Sequence, residues 1–375
     1  MPVSAYLDHA ATTPLRPEAA AAMLPFLSDR FGNPSGVHSV ARQARQAVDE
    51  AREAVAAALG ASPGEVVFTG GGTEADNLAV LGSHALRGGV TVCSAIEHHA
   101  VLHSCQAAGC RVGPVTAEGI VDLDGLEDLL DGDVSVVSVM LANNEVGTVQ
   151  PLSAVAELVR ARSPRAVLHT DAVQAFPWLD VASAAASADL VAVSAHKFGG
   201  PKGVGALIVR DGVALAPVIH GGGQERDRRS GTHNVAGIVG MAAAVSATVG
   251  SRAETVLRVG ALRDRLADGL LAAIPAAVES GPRAAKVAGS CHLRFPGVES
   301  EALLVLLDEA GVCASAGSAC ASGALEASHV LTAMGVPEDE ALASLRLSLG
   351  WASTDDEVEL ALKAVPEAVA RLREG

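Results

Sequence analysis

Short apolar segments alternate with longer segments of helical periodicity over the first two thirds of this 375-residue chain. Residues 41–59 carry apolar side chains at helical spacing with charged side chains opposite, and Gly60 is suited to end such a helix. Because strands that alternate with helices usually form a mostly parallel sheet covered on both faces, we predict an α/β fold. The predicted strands cover residues 65–69, 90–93, 134–140, 166–169, 190–193 and 205–209.

The pattern changes after residue 251, where charged residues become more frequent. A long amphipathic helix is predicted from residue 254 to residue 274, and a strand over 345–349 alternates apolar and polar residues. These features predict a small α+β domain of residues 1–15 and 253–375 beside a large domain of residues 16–252. Further elements are predicted at 293–295, 301–310 and 355–372.

Composition limits the partners and the compartment. Lys and Arg total 27 and Asp and Glu total 43, and the net charge of −16 argues against binding nucleic acid or an anionic membrane. Residues 234–251 are uncharged and long enough to span a membrane, but their Ala, Gly, Val and Ser content predicts a buried helix instead. No signal peptide is evident, and none of the six cysteines forms a Cys-x-x-Cys motif, so we predict a reducing cytoplasm and no metal site.

Side chains at predicted strand ends indicate a site for an aldehyde cofactor. Lys197 follows the strand at 190–193 and could form a Schiff base, although a solvated surface lysine is the plainer interpretation. Asp171 follows the strand at 166–169 and could pair with a protonated pyridine nitrogen or, alternatively, cap a helix. The turn at 70–73 opens a helix and could cradle a phosphate, although an ordinary glycine-rich turn is the commoner explanation.

Other residues could complete this site. His98 could stack on an aromatic cofactor, although a structural histidine is more common, and Gln174 could reach the ring hydroxyl. Arg346 could clamp a substrate carboxylate or form a surface ion pair. Cys320 lies among small residues at 315–323, which predict a pliable loop that carries a thiol to the cofactor, with a buried loop cysteine as the alternative.

These residues lie in an ordered series of motifs that together are highly specific. The chain resembles the pyridoxal-phosphate-dependent cysteine desulfurases of the class-V aminotransferase branch over nearly its full length. The resemblance implies the fold type I of pyridoxal phosphate (PLP) enzymes, with a mostly parallel seven-stranded sheet between helices and a smaller α+β domain. The motifs are YLDHAATTP (6–14), FGNPS (31–35), GTEADN (72–77), EH (97–98), NNEVG (143–147), HTDAVQ (169–174), SAHK (194–197), RSGT (229–232) and GSAC (317–320).

The resemblance implies a role for each matching residue. Lys197 is expected to hold PLP as a Schiff base and to move the Cα proton, while His98 stacks on the ring and acts as acid or base. Cys320 is expected to take the sulfur of L-cysteine as a persulfide while L-alanine leaves. Arg346, with Asn33, is expected to bind the substrate carboxylate. The other expected contacts are Asp171 at the pyridine nitrogen, Gln174 and Asn144 near the ring hydroxyl or the substrate, and Gly72, Thr73, Ser194 and His196 at the phosphate.

Further implications concern partner proteins. Thr232 is expected to reach the phosphate in the partner subunit of an obligate homodimer. Residues 315–329 match the group with an extended, mobile catalytic loop, which hands sulfur directly to protein acceptors. The sequence ends at 371–375, where longer relatives carry a further tail that docks an iron–sulfur scaffold, and this difference counts against delivery to a scaffold. The expected acceptors are an iron–sulfur scaffold, a tRNA-thiolating enzyme or another protein.

Two other functions are compatible with parts of this pattern. A selenocysteine lyase would use the same scaffold with selenium as the leaving atom, and turnover of both substrates would separate the two. A non-catalytic sulfur-transfer partner would keep the fold, but loss of Lys197 or Cys320 is expected in such a protein and both residues are present.

Overall fold

The computed structural model describes residues 4–317 and 327–374. The strands are β1 (Ala5–Tyr6), β2 (Val66–Thr69), β3 (Val90–Ser94), β4 (Cys110–Gly113), β5 (Val134–Ser138), β6 (Val167–Asp171), β7 (Leu190–Ser194), β8 (Gly205–Val209), β9 (Val278–Glu279), β10 (Ser290–Arg294), β11 (Val312–Cys313) and β12 (Ser344–Ser348). The helices are α1 (Pro17–Leu27), α2 (Ser39–Ala58), α3 (Gly72–Arg87), α4 (His99–Ala107), α5 (Leu123–Glu127), α6 (Leu152–Arg162), α7 (Val181–Ala184), α8 (Val235–Ala273), α9 (Ser300–Glu309), α10 (His329–Ala333), α11 (Glu338–Ala341) and α12 (Asp355–Glu374).

The predicted α/β architecture is confirmed. Among the described residues, seven strands form the central sheet in the order β2-β8-β7-β6-β5-β3-β4. β4, β3, β5, β6 and β7 run parallel, whereas β8 is antiparallel to both of its neighbours. Every residue of β5, β6 and β7 is buried, including the polar residues of β5 and β6, so these strands do not have one buried and one solvated face.

Five of the described strands lie outside the central sheet. β12, β10 and β9 form an antiparallel sheet, and β1 pairs in parallel with β11. The expected alternation in β12 does not correspond to one buried and one solvated face, because all of its residues are buried. The side chains of Arg346 and of the serines of β12 are hydrogen-bonded inside the protein to residues 7–10, just after β1, and to Ala316, so polarity there does not mean exposure.

One continuous helix replaces the two predicted helical segments at 234–251 and 254–274. Helix α8 runs unbroken for 39 residues because Gly250 and Ser251 do not prevent helix continuation as a proline would. Its first half packs with α1 and α2 into the core around the large sheet, and its second half joins the core around β10 and β12. Although its length and hydropathy would allow a membrane span, half of its most apolar window is buried in the protein. The predicted domain boundary at residue 252 therefore lies inside a helix and stays a prediction.

Candidate active site

A cavity of about 480 Å³ lies at the carboxyl ends of β6 and β7, where strand ends meet helix N-termini. Parallel strands place the side chains that follow them along one edge, so residues distant in sequence converge there. Ten of the residues predicted from the sequence line this cavity: Gly72, Thr73, His98, Asn144, Asp171, Gln174, Ser194, His196, Lys197 and Arg346.

Lys197 ends a short 3₁₀ turn directly after β7. Its Nζ donates hydrogen bonds to the carbonyl oxygens of Ala10 and Ala11 at 2.5 and 2.9 Å. Burial, together with the Arg346 cation, lowers the pKa of the amine to about 8, although the Asp171 carboxylate partly opposes this shift. A substantial fraction of Lys197 is therefore neutral near physiological pH, which is the state that attacks a carbonyl carbon.

Asp171 is the last residue of β6 and is almost fully buried. Its Oδ1 accepts a hydrogen bond from the Val173 amide at 2.8 Å. Burial raises the pKa of this carboxyl to about 6, while the amide bond and the Lys197 cation act in the opposite direction. A cationic partner in the cavity would stabilise the ionised carboxylate, as a protonated pyridine nitrogen does.

Two further buried carboxyl groups were not assigned a role from the sequence. Asp76 on α3 lines the cavity, and burial followed by repulsion from Asp171 raises its pKa well above the usual value. Glu97 accepts hydrogen bonds from Ser94 Oγ at 2.6 Å and from the Met140 amide at 2.7 Å, and burial raises its pKa to about 8. The motifs that contain Asp76 and Glu97 could be recognised in the sequence. Their burial near Asp171 could not, because it depends on how the sheet folds.

His98 is the N-cap of α4, and its Nδ1 accepts a hydrogen bond from the Ala100 amide at 3.1 Å. Burial and then the Lys197 cation lower its pKa to about 4. The imidazole is therefore neutral at physiological pH, with its proton on Nε2 because Nδ1 is used as an acceptor. The helix cap fixes the ring at the cavity wall, so that Nε2–H is the group that remains for a ligand.

The glycine-rich turn before α3 has the properties of an anion site. Gly71 has φ +147°, a conformation that favours glycine, and it precedes the N-terminus of a 16-residue helix. A Cβ at Gly72 would meet Val173 at 3.0 Å and Ser194 at 3.5 Å, so glycine keeps this wall open. His196, whose Nδ1 lies 3.2 Å from Thr12 Oγ1, stands on the same rim.

Arg346, on β12 of the antiparallel sheet, forms a second wall of the cavity. Its Nη2 donates to Asp8 Oδ1 at 2.8 Å and its Nη1 donates to the Asn144 carbonyl oxygen at 3.1 Å, which fixes the plane of the guanidinium. Nε finds no acceptor within the described ranges. A buried guanidinium held in this way can bind a carboxylate with strong, charge-assisted hydrogen bonds.

Not every predicted residue lines the cavity. Asn33 and Thr232 are exposed and do not line the cavity of their own chain. Gln174 lines the cavity and donates to the Ala10 carbonyl oxygen at 2.7 Å. Cys320 lies outside the described residues, but Ser315 and Gly317, just before it in the sequence, line the cavity.

Comparisons with known proteins identify the family to which the chain is similar. The aminotransferase class-V family matches residues 5–361. The IscS-like cysteine desulfurase of Mycobacterium tuberculosis is 46% identical over 384 residues, covering 98% of this chain and 97% of that protein. The cysteine desulfurase IscS of Methanosarcina thermophila is 43% identical, covering 98% and 92% of the two chains. A solved structure of a NifS-like protein superposes with a TM-score of 0.92 at 35% identity, covering 98% and 100%.

Proposed function

The chain belongs to the aminotransferase class-V family and is a cysteine desulfurase, in which we propose that Lys197 and Cys320 divide the conversion of L-cysteine to L-alanine. The observation that carries this proposal is the convergence of Lys197, Asp171 and Arg346 on one cavity. The segment that leads to Cys320 begins at the rim of the same cavity, at Ser315 and Gly317.

The cavity residues fit PLP as the cofactor. Lys197 would bind it covalently, Asp171 would face its pyridine nitrogen, and the turn before α3 with Ser194 and His196 would hold its phosphate. The open wall at Gly72 leaves space for the ring. Burial raises the pKa of Asp171, and a protonated pyridine nitrogen would provide the cationic partner that stabilises its ionised form. When bound, PLP supplies an electron sink that stabilises negative charge at the substrate carbon next to the reacting centre.

The chain's own residues orient the substrate and move its protons. The Arg346 guanidinium would bind the substrate carboxylate, and the fixed plane of its fork would set the position of Cα. The Lys197 amine, with its lowered pKa, would remove the Cα proton and return one later. Neutral His98 would donate its Nε2 proton or stack on the ring at the cavity wall.

Cys320 would act as the sulfur acceptor. Its thiolate would form a bond to the substrate sulfur while the substrate Cβ–Sγ bond breaks. The electron pair of that bond stays with the substrate carbon, which takes up a proton and becomes the methyl group of L-alanine. The enzyme is left with a persulfide on Cys320, and a second thiolate on an acceptor protein can attack this persulfide.

The wider context follows from the same proposal. The enzyme would work in the cytoplasm as a homodimer, with Thr232 reaching the cofactor phosphate in the partner subunit; the exposure of Thr232 away from its own cavity supports this arrangement. The acceptor would be an iron–sulfur scaffold or a tRNA-thiolating enzyme.

The test is a brief incubation of the PLP-loaded enzyme with L-cysteine, followed by peptide mass spectrometry and an alanine assay. We expect one added sulfur on the Cys320 peptide and stoichiometric alanine. Alanine release without sulfur on Cys320, or sulfur on another cysteine first, would overturn the assignment.

A further inference from the structure

Three cysteines far from the active-site thiol in sequence lie together at the edge of the central sheet. Cys93 belongs to β3, Cys105 to α4 and Cys110 to β4. Their sulfur atoms all lie within 4.8 Å of one another, and those of Cys93 and Cys110 are 3.5 Å apart. The cysteines are spaced without any short metal-binding motif, so the sequence alone predicted no site here.

The register of β3 and β4 explains the cluster. Thr91 pairs with Cys110 and Cys93 pairs with Val112, so Cys93 and Cys110 project from the same face at diagonal positions. Helix α4 covers this face and places Cys105 against both strands. Thr91 Oγ1 donates to the carbonyl oxygens of Cys105 and Gly109 at 3.1 and 3.0 Å, which ties the end of α4 to the strands.

A direct disulfide is a poor fit to this arrangement. Residues at diagonal positions on neighbouring strands have Cα atoms about 7–8 Å apart, whereas disulfides need about 4.4–6.8 Å. A metal ion about 2.3 Å from each sulfur instead requires sulfur atoms about 4 Å apart. The Cys93 and Cys110 sulfur atoms, 3.5 Å apart, and the upper limit of 4.8 Å on all three separations are compatible with that value, so small side-chain rotations would complete the coordination.

The surroundings select the kind of ion. The cluster packs with Val80, Val101 and Leu102, and no histidine or carboxylate joins it among the residues that the structure describes. Three sulfur ligands without oxygen or nitrogen suit a soft ion, and a trigonal set leaves Zn²⁺ short of its usual fourth ligand. Cys93 and Cys105 are fully buried, but Cys110 is partly exposed on the edge strand and provides a route of entry.

We propose that Cys93, Cys105 and Cys110 form a binding site for a soft, thiophilic metal ion, with Cu(I) as the ion that best fits three sulfur ligands. The site is separate from the PLP cavity, because Cys105 lies seven residues along α4 from the His98 cap, about 10 Å along the helix. Binding releases thiol protons, so the affinity rises with pH.

The test uses PLP-loaded, fully reduced enzyme that carries Cys320→Ser, which removes the proposed reactive thiol. The protein is incubated anaerobically with Cu(I), passed through a desalting column in the presence of a Cu(I) chelator, and assayed for copper per chain. Cys110→Ser and Cys93→Ser are compared with Cys313→Ser, a partly exposed cysteine outside the cluster. Far-ultraviolet circular dichroism and the PLP absorbance establish that each variant is folded.

We expect about one copper per chain, retained by Cys313→Ser and bound at least about tenfold more weakly by Cys110→Ser and Cys93→Ser. Bound copper should also protect Cys110 from alkylation, measured by peptide mass spectrometry. Copper retention unchanged in Cys110→Ser, equal loss in Cys313→Ser, or no retained copper would overturn the site. So would a Cys93–Cys110 disulfide in enzyme handled without reductant, because it would contradict the strand geometry.

Discussion

The two walls of the active-site cavity differ in how their charges are held. The sheet wall, formed by His98, Asp171 and Lys197, consists of groups whose pKa values are all displaced toward neutral forms. On the other wall, the Arg346 guanidinium is held in place by hydrogen bonds to Asp8 and to the Asn144 carbonyl oxygen. The sheet wall is therefore suited to moving protons, and the Arg346 wall to fixing the position of a charged substrate.

The strongest test of the sheet wall removes its amine. Lys197→Ala should abolish the yellow Schiff-base absorbance and reduce desulfurase turnover by at least about 10⁴-fold, because both covalent attachment and proton transfer are lost. Absorbance spectra and an alanine assay measure these effects. Lys363→Ala, an exposed residue on α12, is the matched control and should leave both unchanged. Retained absorbance in Lys197→Ala would place the attachment elsewhere.

Changing the Arg346 wall should affect substrate binding more than proton transfer. Arg346→Lys keeps a positive charge but loses the planar fork, so kcat/KM for L-cysteine should fall about 10- to 100-fold, mainly through KM. Steady-state kinetics separate the two constants. Arg294→Lys changes a neighbouring arginine on β10 that pairs with Glu340, and it should have little effect. A fall in kcat with unchanged KM would contradict the division between the walls.

Glu97 sharpens the comparison through pH. Burial raises the pKa of Glu97 from 4.5 to about 8, so the folded state binds the proton more tightly than the unfolded state. The resulting stabilisation of the folded state is fully present below pH 4.5 and is lost as the pH rises through 8. Glu97→Gln keeps a neutral side chain at every pH and should make Tm fall less between pH 5 and pH 8.5. Thermal unfolding at both pH values measures this difference. Glu301→Gln, at an exposed site on α9, should keep the wild-type slope, and an identical slope for Glu97→Gln would refute the assigned shift.

The smallest expected effect concerns the chain just after the Cys320 segment. Ser328 caps α10 and donates a hydrogen bond to Glu145 Oε2 at 2.5 Å. Ser328→Ala should lower the free energy of unfolding by about 1–2 kcal/mol, measured by urea denaturation. Ser251→Ala removes a hydroxyl bonded within its own helix and should cost less. Equal costs would mean that Glu145 does not hold this segment.

Sequence patterns predicted the parts of the site that local rules govern. Asp171 and Lys197 follow apolar strands, and parallel strands bring such positions to one edge, so their convergence could be expected. Asp76 and Glu97 were recognised only as parts of motifs, because their burial depends on packing between distant segments. The sequence predicts two helical segments where α8 is continuous, because charged residues become more frequent after residue 251 without any break in the helix.

The cysteine cluster likewise could not be predicted from the sequence. Cys93 and Cys110 meet only through the register of β3 and β4, and Cys105 reaches them only through the packing of α4. Strand register and helix docking are non-local properties that spacing in one sequence does not encode. Asn33 and Thr232 are a related case, because their proposed roles depend on more than the cavity of one chain.

The central claim is that the lysine and the cysteine perform different steps, and one comparison tests it most directly. Alanine formation from L-cysteine is measured for wild-type enzyme and for Cys320→Ser, with the PLP absorbance recorded for the same samples. We predict that Cys320→Ser keeps the wild-type absorbance and forms no alanine from L-cysteine. Wild-type alanine formation by Cys320→Ser would contradict the account, because sulfur removal would then proceed without the proposed acceptor thiol.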